Sequence, residues 1–299
     1  MSLAFYTTQS TFSDPGELAR LYAGLPKDPA QLARITRDLI IHRMEGEIFG
    51  HTHPTDRLHN DAETRYTDDI LRIIVGRNAA PLERRREVGD RFVGTCRDFS
   101  LLHCSLLRHV GVPARIRVGF ADYFGSGDFH VDHVVTEYWD GGRGWLLADA
   151  ELADPLLTDH WKPGFDPMDV PRDRFLVAGE AWRAIREDGA DPETFGLHAP
   201  DQGPFWGERY VSGNIRLDLA ALNKVEPLLW DVWGEAEGEP GDPLPEPARL
   251  FYDRVAPLVS GDISFEAVRT LFAEDDVLRT PQTVTCYAPF NGPSRVTLR

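Results

Sequence analysis

The stretch GTCRDFSLLHCSLLRHVGVPARIRVGF, residues 94–120, contains the change of periodicity that decides the fold. After a glycine–threonine break, apolar residues recur every three or four positions as far as Val110, which predicts an amphipathic helix. Gly111 and Pro113 are typical of a helix end. Cys96 therefore falls in the first turn of a helix of about four turns.

Beyond this helix the period of the apolar residues changes to two. Residues 114–120 and 131–139 (VDHVVTEYW) alternate, and 144–150 (GWLLADA) is short and largely apolar, so all three are predicted strands. The sequence DGG at 140–142 is a turn signal that joins the last two as a hairpin. Helices followed by strands predict an α+β fold, in which the helix that starts near Cys96 packs on a small antiparallel sheet.

Weaker patterns lie on both sides of this segment. Helical patterns begin upstream at Asp28, Asp61 and Pro81. Downstream, residues 159–209 look irregular, and they are followed by helical patterns at 215–233, 246–258 and 263–273 and by an exposed linker at 234–248. We therefore expect a core with N-terminal helices at 1–158, and a mostly helical or irregular C-terminal extension at 159–299 that packs on this core.

The composition argues against several classes of protein. With 48 acidic and 32 basic residues, the formal net charge of −16 opposes binding to nucleic acid. Three cysteines indicate free thiols in a reducing compartment rather than a disulfide framework. We see no secretory signal, no apolar run of about 18–20 residues and no nucleotide or EF-hand motif. The prediction is a cytoplasmic protein without membrane partners or a cofactor.

Cys96 is the first candidate for chemistry. A thiol attacks as its thiolate, and a helix N-terminus favours the thiolate through its N–H groups and its dipole. The backbone N–H of Cys96 is also a candidate donor to an oxyanion. A buried structural cysteine is the alternative, and Cys104, inside the same helix, fits that description. Asp98, in the first turn, is interpreted as a structural residue that complements the helix dipole.

The predicted hairpin offers a base and an acid. With 140–142 as its loop, Trp139 faces Arg143, and stepping back by twos brings His133 opposite Asp149. Directly opposed side chains lie about 4.5–5.5 Å apart on one face, so a carboxylate there can hold one imidazole nitrogen while the other faces a thiol. A shift of one residue would place the two side chains on opposite faces.

Together these segments resemble the core of the transglutaminase-like superfamily. The resemblance covers about residues 65–155 and lies in three motifs in order, namely the stretch quoted above, DHVVTEYW and GWLLADAE. It implies a papain-like arrangement in which Cys96 is the nucleophile, His133 its base, and Asp149 the acid that orients the imidazole.

The segment also departs from the family pattern at two positions. Two valines follow the histidine where a small residue and an aromatic are usual, and an alanine follows Asp149 where proline is usual. Asp154, which does precede a proline, therefore competes for the role of the orienting acid. His130 and Asp132 compete on the strand itself.

The implied reaction is cysteine-dependent acyl transfer through a thioester, from an amide- or ester-bearing substrate to an amine acceptor. The substrate class includes peptides, proteins and small molecules. A cysteine peptidase or amidase with the same triad is the alternative, and a non-catalytic binding module on the same fold is a third hypothesis.

Two further groups of side chains are candidates for other roles. The first is a histidine-rich loop, which is interpreted as solvated or as lining the site rather than as a zinc site, so no metal is predicted. Its residues are His51, His53, Asp56 and His59. The second is a set of aromatic residues, interpreted as packing within the extension. They are Trp206, Tyr210, Trp230 and Trp233.

Overall fold

The computed structural model describes residues 2–125, 127–197, 205–234, 242–261 and 263–299. These residues form a mixture of helices and strands, as the sequence predicts. The chain divides into two compact units that are discontinuous in sequence. The first unit consists of Met1–Ile116, Val135–Val170 and Pro289–Asn291, and the second of Arg117–Val134, Pro171–Ala288 and Gly292–Arg299. The predicted domains at 1–158 and 159–299 stay a prediction.

The first unit contains six of the described helices. They are α1 (Ser2–Thr7), α2 (Pro29–Leu39), α3 (Thr55–Asn60), α4 (Thr67–Arg77), α5 (Cys96–His109) and α6 (Pro155–Trp161). Two short strands, β1 (Ile40–His42) and β2 (Phe92–Gly94), pair in parallel. Helix α2 begins as predicted, because the Asp28 carboxylate accepts a hydrogen bond from the Gln31 N–H at 2.9 Å and Pro29 occupies the first helical position.

Helix α5 is the central element of the first unit. Its leucines are fully buried, and so are polar residues on its other faces. The buried polar groups have partners: the Ser105 hydroxyl donates to the Ser13 carbonyl at 2.6 Å, and the Arg108 Nε donates to the Ala114 carbonyl at 2.9 Å. Because a buried polar group is destabilising unless it is hydrogen-bonded, these contacts hold the helix in one orientation.

The helix predicted to start at Pro81 is absent from the structure. Residues 81–91 form turns and a single 3₁₀ turn, Val88–Asp90. The Arg86 guanidinium is buried and donates to the carbonyls of Pro81, at 2.9 Å, and Asn78, at 3.2 Å. A charged side chain that the pattern assigned to the solvent thus satisfies loop carbonyls instead, and this contact stabilises an irregular path.

Six strands form the main sheet. They are β3 (Ala114–Ala121), β4 (His130–Asp140), β5 (Gly144–Ala148), β6 (Phe175–Val177), β7 (Phe195–Leu197) and β8 (Phe205–Trp206). Their order is β6-β3-β4-β7-β8, with β5 paired to β4. The expected sheet was antiparallel, but β7 pairs with β4 in parallel. Parallel pairing needs a long crossover, and the helical segments between β4 and β7 provide one.

The hairpin β4–β5 has a different register from the predicted one. Asp140 pairs with Gly144, so the loop is 141–143, and the whole ladder is displaced by two residues. The Asp140 carboxylate accepts hydrogen bonds from the N–H groups of Gly142 and Arg143, both at 2.9 Å. Gly144 has φ +87°, which glycine adopts without strain. These contacts favour a three-residue loop that keeps Asp140 in the strand.

The second unit is built around an apolar helical core. Its helices are α7 (Ala178–Arg186), α8 (Glu208–Leu222), α9 (Glu246–Val259) and α10 (Phe265–Glu274), and its remaining strands are β9 (Asp231–Val232), β10 (Thr283–Ala288) and β11 (Gly292–Thr297). Trp182, Ile215 and Tyr252 are buried together in this core. Helices α7 and α9 approach closely at Gly179, where an added Cβ would lie 2.6 Å from the Ala256 carbonyl oxygen.

Two predictions for this region are corrected. The described residues of 159–209 are not irregular throughout, since α6 ends within them and β6, α7, β7 and β8 lie wholly inside them. The helix predicted at 215–233 is α8, which ends at Leu222, because the chain turns at Asn223 well before Pro227. The helices predicted at 246–258 and 263–273 are confirmed. Residues 235–241 of the predicted linker lie outside the described residues. None of the described helices combines the length and apolar character needed to cross a membrane.

Candidate active site

Cys96 is the first residue of α5, as predicted, and its exposed fraction is 5%. The preceding Thr95 forms a capping box with Asp98, in which the Thr95 N–H donates to Asp98 Oδ2 at 2.9 Å. The capping box fixes where the helix begins and therefore where Cys96 sits. It also gives Asp98 the structural role that the sequence indicated.

The first turn of α5 is anchored by a buried ion pair. Arg97 Nη1 lies 3.0 Å from Asp98 Oδ1, and Arg97 Nη2 donates to the Arg65 carbonyl at 2.6 Å. Burial raises the pKa of Asp98, while Arg97 and the bonds from Thr95 act in the opposite direction. A buried, hydrogen-bonded ion pair thus directly follows the nucleophile candidate in the first turn of α5.

His133 lies on β4 and is almost fully buried. Aromatic rings surround its imidazole: the centroid distances are 4.9 Å to Phe124, 5.9 Å to Tyr123 and 6.2 Å to Phe175, all with steep interplanar angles. These rings restrict the orientation of the imidazole and leave it little contact with water.

Asp132, the neighbour of His133 on β4, is held by Tyr210. The Tyr210 hydroxyl donates to Asp132 Oδ2 at 2.6 Å. Burial raises the pKa of Asp132 to about 6, whereas the Tyr210 bond and His133 lower it. Because neighbouring residues on a strand point to opposite faces, Asp132 occupies the face away from that of His133.

Asp149 follows β5 directly and is buried. Its Oδ1 accepts a hydrogen bond from the Glu151 N–H at 3.0 Å, which makes it the N-cap of a 3₁₀ turn, Ala150–Leu152. Its own N–H donates to the Pro167 carbonyl at 2.7 Å. The corrected register places Asp149 beyond the end of the ladder, so the predicted pairing of His133 opposite Asp149 within the hairpin is wrong.

Thr136 connects the elements that carry Cys96 and Asp149. Thr136 donates to the Ser100 carbonyl of α5 at 3.3 Å, and Thr136 also pairs with Ala148 on β5. Thr136 follows His133 by three residues, Ser100 follows Cys96 by four, and Ala148 precedes Asp149 by one. Thr136 therefore connects α5, near Cys96, with the end of β5, near Asp149; His133 lies three residues from Thr136 and so on the other face of the strand.

The competing acid Asp154 has other partners. Its Oδ1 accepts a hydrogen bond from the Leu156 N–H at 3.0 Å and so caps α6. Its Oδ2 lies 3.3 Å from Arg85 and 3.6 Å from Arg34. His130 bonds the Asp128 carbonyl at 2.9 Å through Nδ1 and stacks on a phenylalanine ring. Both residues are engaged in local structure.

The histidine-rich loop splits into two parts. The rings of His51 and His53 lie 5.3 Å apart, and burial lowers the pKa of His53. His59 stacks instead on Phe290 at 4.5 Å. Within the described ranges, this loop does not form a group of three side chains close enough to hold one metal ion.

Sequence reasoning missed a buried charge cluster next to Asp149. Arg37 and Glu45 form an ion pair at 2.8 Å, and Glu151 is buried with them. The position of Glu151, two residues after the candidate acid, was the one signal in the sequence. Nothing in the pattern around Arg37 or Glu45 distinguishes them from solvent-exposed charges on a helix and a turn.

One family model matches this part of the chain. Residues 77–150 match the model of the transglutaminase-like superfamily, and this range includes Cys96, His133 and Asp149. This part of the chain carries a transglutaminase-like core, and the resemblance stated from the sequence is confirmed.

A crystal structure of a candidate cysteine protease from Cytophaga hutchinsonii is similar to part of the chain, with 19% sequence identity and a TM-score of 0.31. The similarity covers 52% of this chain and 43% of that one, so it spans less than half of the other protein. The comparison with curated proteins finds no match.

Proposed function

We propose that the chain is a cysteine-dependent enzyme in which Cys96 is the nucleophile, His133 the base and Asp149 the residue that orients the imidazole. The observation that carries this proposal is the start of α5 at Cys96, which the Thr95–Asp98 capping box fixes with the thiol in the first helical turn. His133 lies on β4, almost fully buried among aromatic rings, and Asp149 follows β5 directly. The family match over 77–150 supports the choice of these three residues.

The packing of α5 on the sheet belongs to the same proposal. The Thr136–Ser100 bond joins β4 to α5, and it supports a papain-like arrangement in which the Cys-bearing helix lies against the strands. Asp149 is preferred over Asp154 as the orienting acid, because the carboxylate of Asp154 caps α6 and pairs with two arginines.

The first half of the proposed reaction forms a thioester. The thiol of Cys96 gives its proton to the imidazole of His133, and the thiolate adds to the carbonyl carbon of an amide or ester. The backbone N–H of Cys96 is a candidate donor to the resulting oxyanion. When the bond to the leaving group breaks, the imidazolium returns the proton to the departing amine or alkoxide, and the acyl group stays on sulfur.

The second half transfers the acyl group from sulfur. An amine or a water molecule loses a proton to His133, attacks the thioester carbonyl and displaces the thiolate, which restores the enzyme. Asp149 stabilises the imidazolium in both halves without being protonated itself. We favour an amine acceptor, since the formal charge of −16 attracts amine-bearing molecules. The substrate class is an amide- or ester-bearing peptide, protein or small molecule.

A thiol probe tests the nucleophile before any substrate is known. We expect an activity-based electrophile to label Cys96 selectively at neutral pH, and Cys96→Ala to abolish the labelling. Cys104→Ala is the matched control, because Cys104 lies in the same helix, is fully buried and is expected to be inert. Equal labelling of the wild type and of Cys96→Ala would favour the non-catalytic binding module.

Intact-mass analysis then separates transfer from hydrolysis. The protein is incubated with libraries of amides and esters, with and without a primary amine, and the adduct on Cys96 and the product are weighed. A product that carries the amine establishes acyl transfer. A product that gains only water, even with amine in excess, establishes the cysteine peptidase or amidase.

A further inference from the structure

An open groove with a volume of about 500 Å³ lies at the end of α6, within the first unit. Its lining residues are Thr158 and residues 162–166. Sites for small molecules typically have volumes of about 300–1,000 Å³, so the groove has room for an amino acid or a short peptide. Pro167, which follows the lining residues, accepts the Asp149 N–H at 2.7 Å. The groove therefore adjoins the segment that carries the candidate acid.

The cation in this groove is Lys162, the C-cap residue of α6. Its N–H donates to the Thr158 carbonyl at 2.9 Å, and its φ is +49°. This left-handed conformation is unfavourable for a residue with a Cβ, and glycine or asparagine usually occupies it. A lysine here indicates a role for its side chain. The side chain is exposed, and its ammonium group has no ion-pair or hydrogen-bond partner within the residues that the structure describes.

The anion in the groove is Asp166, which is also exposed. Its Oδ1 accepts the Met168 N–H at 2.9 Å, which orients the carboxylate and leaves Oδ2 for another donor. In the described part of the chain, Asp166 forms no ion pair with Lys162 or with any other cation. The nearby Asp169 differs, because Arg143 pairs with it at 3.0 Å. The groove thus presents two opposite charges that do not neutralise each other.

Phe165 adds an apolar surface to these two charges. Its ring is partly exposed and lines the same groove. A ligand with a carboxylate, an ammonium group and an apolar side chain is complementary to all three residues, since each of its charges gains a charge-assisted hydrogen bond. Asp166 disfavours a ligand that is only anionic, and Lys162 disfavours one that is only cationic. The side chains therefore select for a zwitterion.

We propose that this groove binds a zwitterionic amino acid or short peptide, with its carboxylate on Lys162, its ammonium group on Asp166 and an apolar side chain against Phe165. The binding itself depends on residues of the first unit alone. The inference rests on the proposed function for its link to catalysis, where it narrows the substrate of Cys96 to a short peptide with free termini.

Isothermal titration calorimetry of the full chain with phenylalanine and with glycylphenylalanine tests the binding. We expect at least one of them to bind, and the same compound with its amine acetylated and its carboxylate amidated to bind at least tenfold more weakly. Lys162→Gly and Asp166→Asn should each weaken binding about tenfold, and the asparagine keeps an acceptor for the Met168 N–H. Lys27→Gly and Asp56→Asn, at exposed residues of the same unit, are the matched controls and should bind as the wild type does.

Urea unfolding of Lys162→Gly separates a binding role from a structural one. Glycine adopts a positive φ without strain, so this variant should be at least as stable as the wild type while it binds more weakly. The proposal is overturned if neither compound binds, if the blocked compound binds equally well, or if Lys162→Gly and Asp166→Asn keep the affinity of the wild type.

Alkylation of Cys96 by iodoacetamide, followed by mass spectrometry, tests the link to catalysis. A saturating concentration of the compound that binds should slow alkylation in the wild type and leave its rate unchanged in Lys162→Gly at the same concentration. Binding without any change in the wild-type rate would overturn the link and leave a separate amino-acid site. If iodoacetamide alkylates Cys96 in no variant, the proposed function fails, while calorimetry still decides what the groove binds.

Discussion

Acidification should destabilise this protein through His103, a histidine buried in the middle of α5. Its exposed fraction is 0%, and its Nε2 lies 3.2 Å from the Pro29 carbonyl oxygen, so the neutral ring with its proton on Nε2 donates there. Burial lowers the pKa of His103 to about 4, although the bond to Pro29 and the charge of Asp149 act in the opposite direction.

The sign and size of this effect on the free energy of unfolding follow from the difference in the pKa of His103 between the folded and the unfolded protein. In the unfolded chain His103 binds a proton near pH 6.5, and in the folded chain only near pH 4. The stability that depends on neutral His103 is therefore complete above pH 6.5 and is lost as pH falls to 4. A difference of about 2.5 pH units corresponds to about 3.4 kcal/mol. That is a large share of the ~5–15 kcal/mol that stabilises a typical folded domain.

Urea unfolding at a series of pH values measures this contribution. His103→Gln keeps an N–H donor for Pro29 but does not titrate, so between pH 7 and 4 its free energy of unfolding should fall by about 3 kcal/mol less than that of the wild type. His109→Gln is the matched control, because His109 lies on the same helix and is exposed. Parallel pH dependences for the wild type and His103→Gln would refute the reasoning.

Three further perturbations have defined outcomes. Replacing Arg117 by Met should lower the free energy of unfolding by about 3–5 kcal/mol, because it leaves the buried Asp218 without the guanidinium 2.8 Å away; adding Asp218→Leu should recover most of the loss in urea unfolding. Thr95→Ala should lower the free energy of unfolding by about 1 kcal/mol, because the helix cap is lost. Asp98→Ala removes the other half of the capping box and should lower the free energy of unfolding at least as much in the same assay. Burial raises the pKa of Asp132 to about 6, so this residue lowers the free energy of unfolding by about 3 kcal/mol as pH rises from about 4 to 6; between pH 4 and 7 Asp132→Asn should therefore gain about 3 kcal/mol relative to the wild type in urea unfolding, and parallel pH dependences of the two proteins would contradict the prediction.

Local chemistry explains what could be predicted along the chain. The start of α5 at Cys96, its end before Gly111, and the strands β3, β4 and β5 all follow from residue spacing and from turn and cap residues close by in the sequence. The match over residues 77–150 confirms the family that these motifs indicated. The roles of the three candidate residues stay predictions that thiol labelling and mass analysis can decide.

Two features could not be predicted in this way, because they depend on which hydrogen bonds the folded loops form. The pattern at 81–91 favoured an exposed helix, but the carbonyls around Arg86 made burial of its guanidinium favourable. The hairpin loop moved by one position because the Asp140 carboxylate bonds two N–H groups of the turn. A loop of a given composition permits several registers, and hydrogen bonds that form only in the folded chain select among them.

The sequence by itself determined the order of the elements, the helix start that carries the thiol, and the three motifs of the transglutaminase-like core. Those features depend on backbone preferences and apolar periodicity, which act over a few residues. Only the tertiary structure decided the register, the parallel strand β7, and the meeting of Arg37, Glu45 and Glu151 beside Asp149. Burial of a charge is favourable only where its partners are already in place, and the sequence does not show where distant segments of the chain meet.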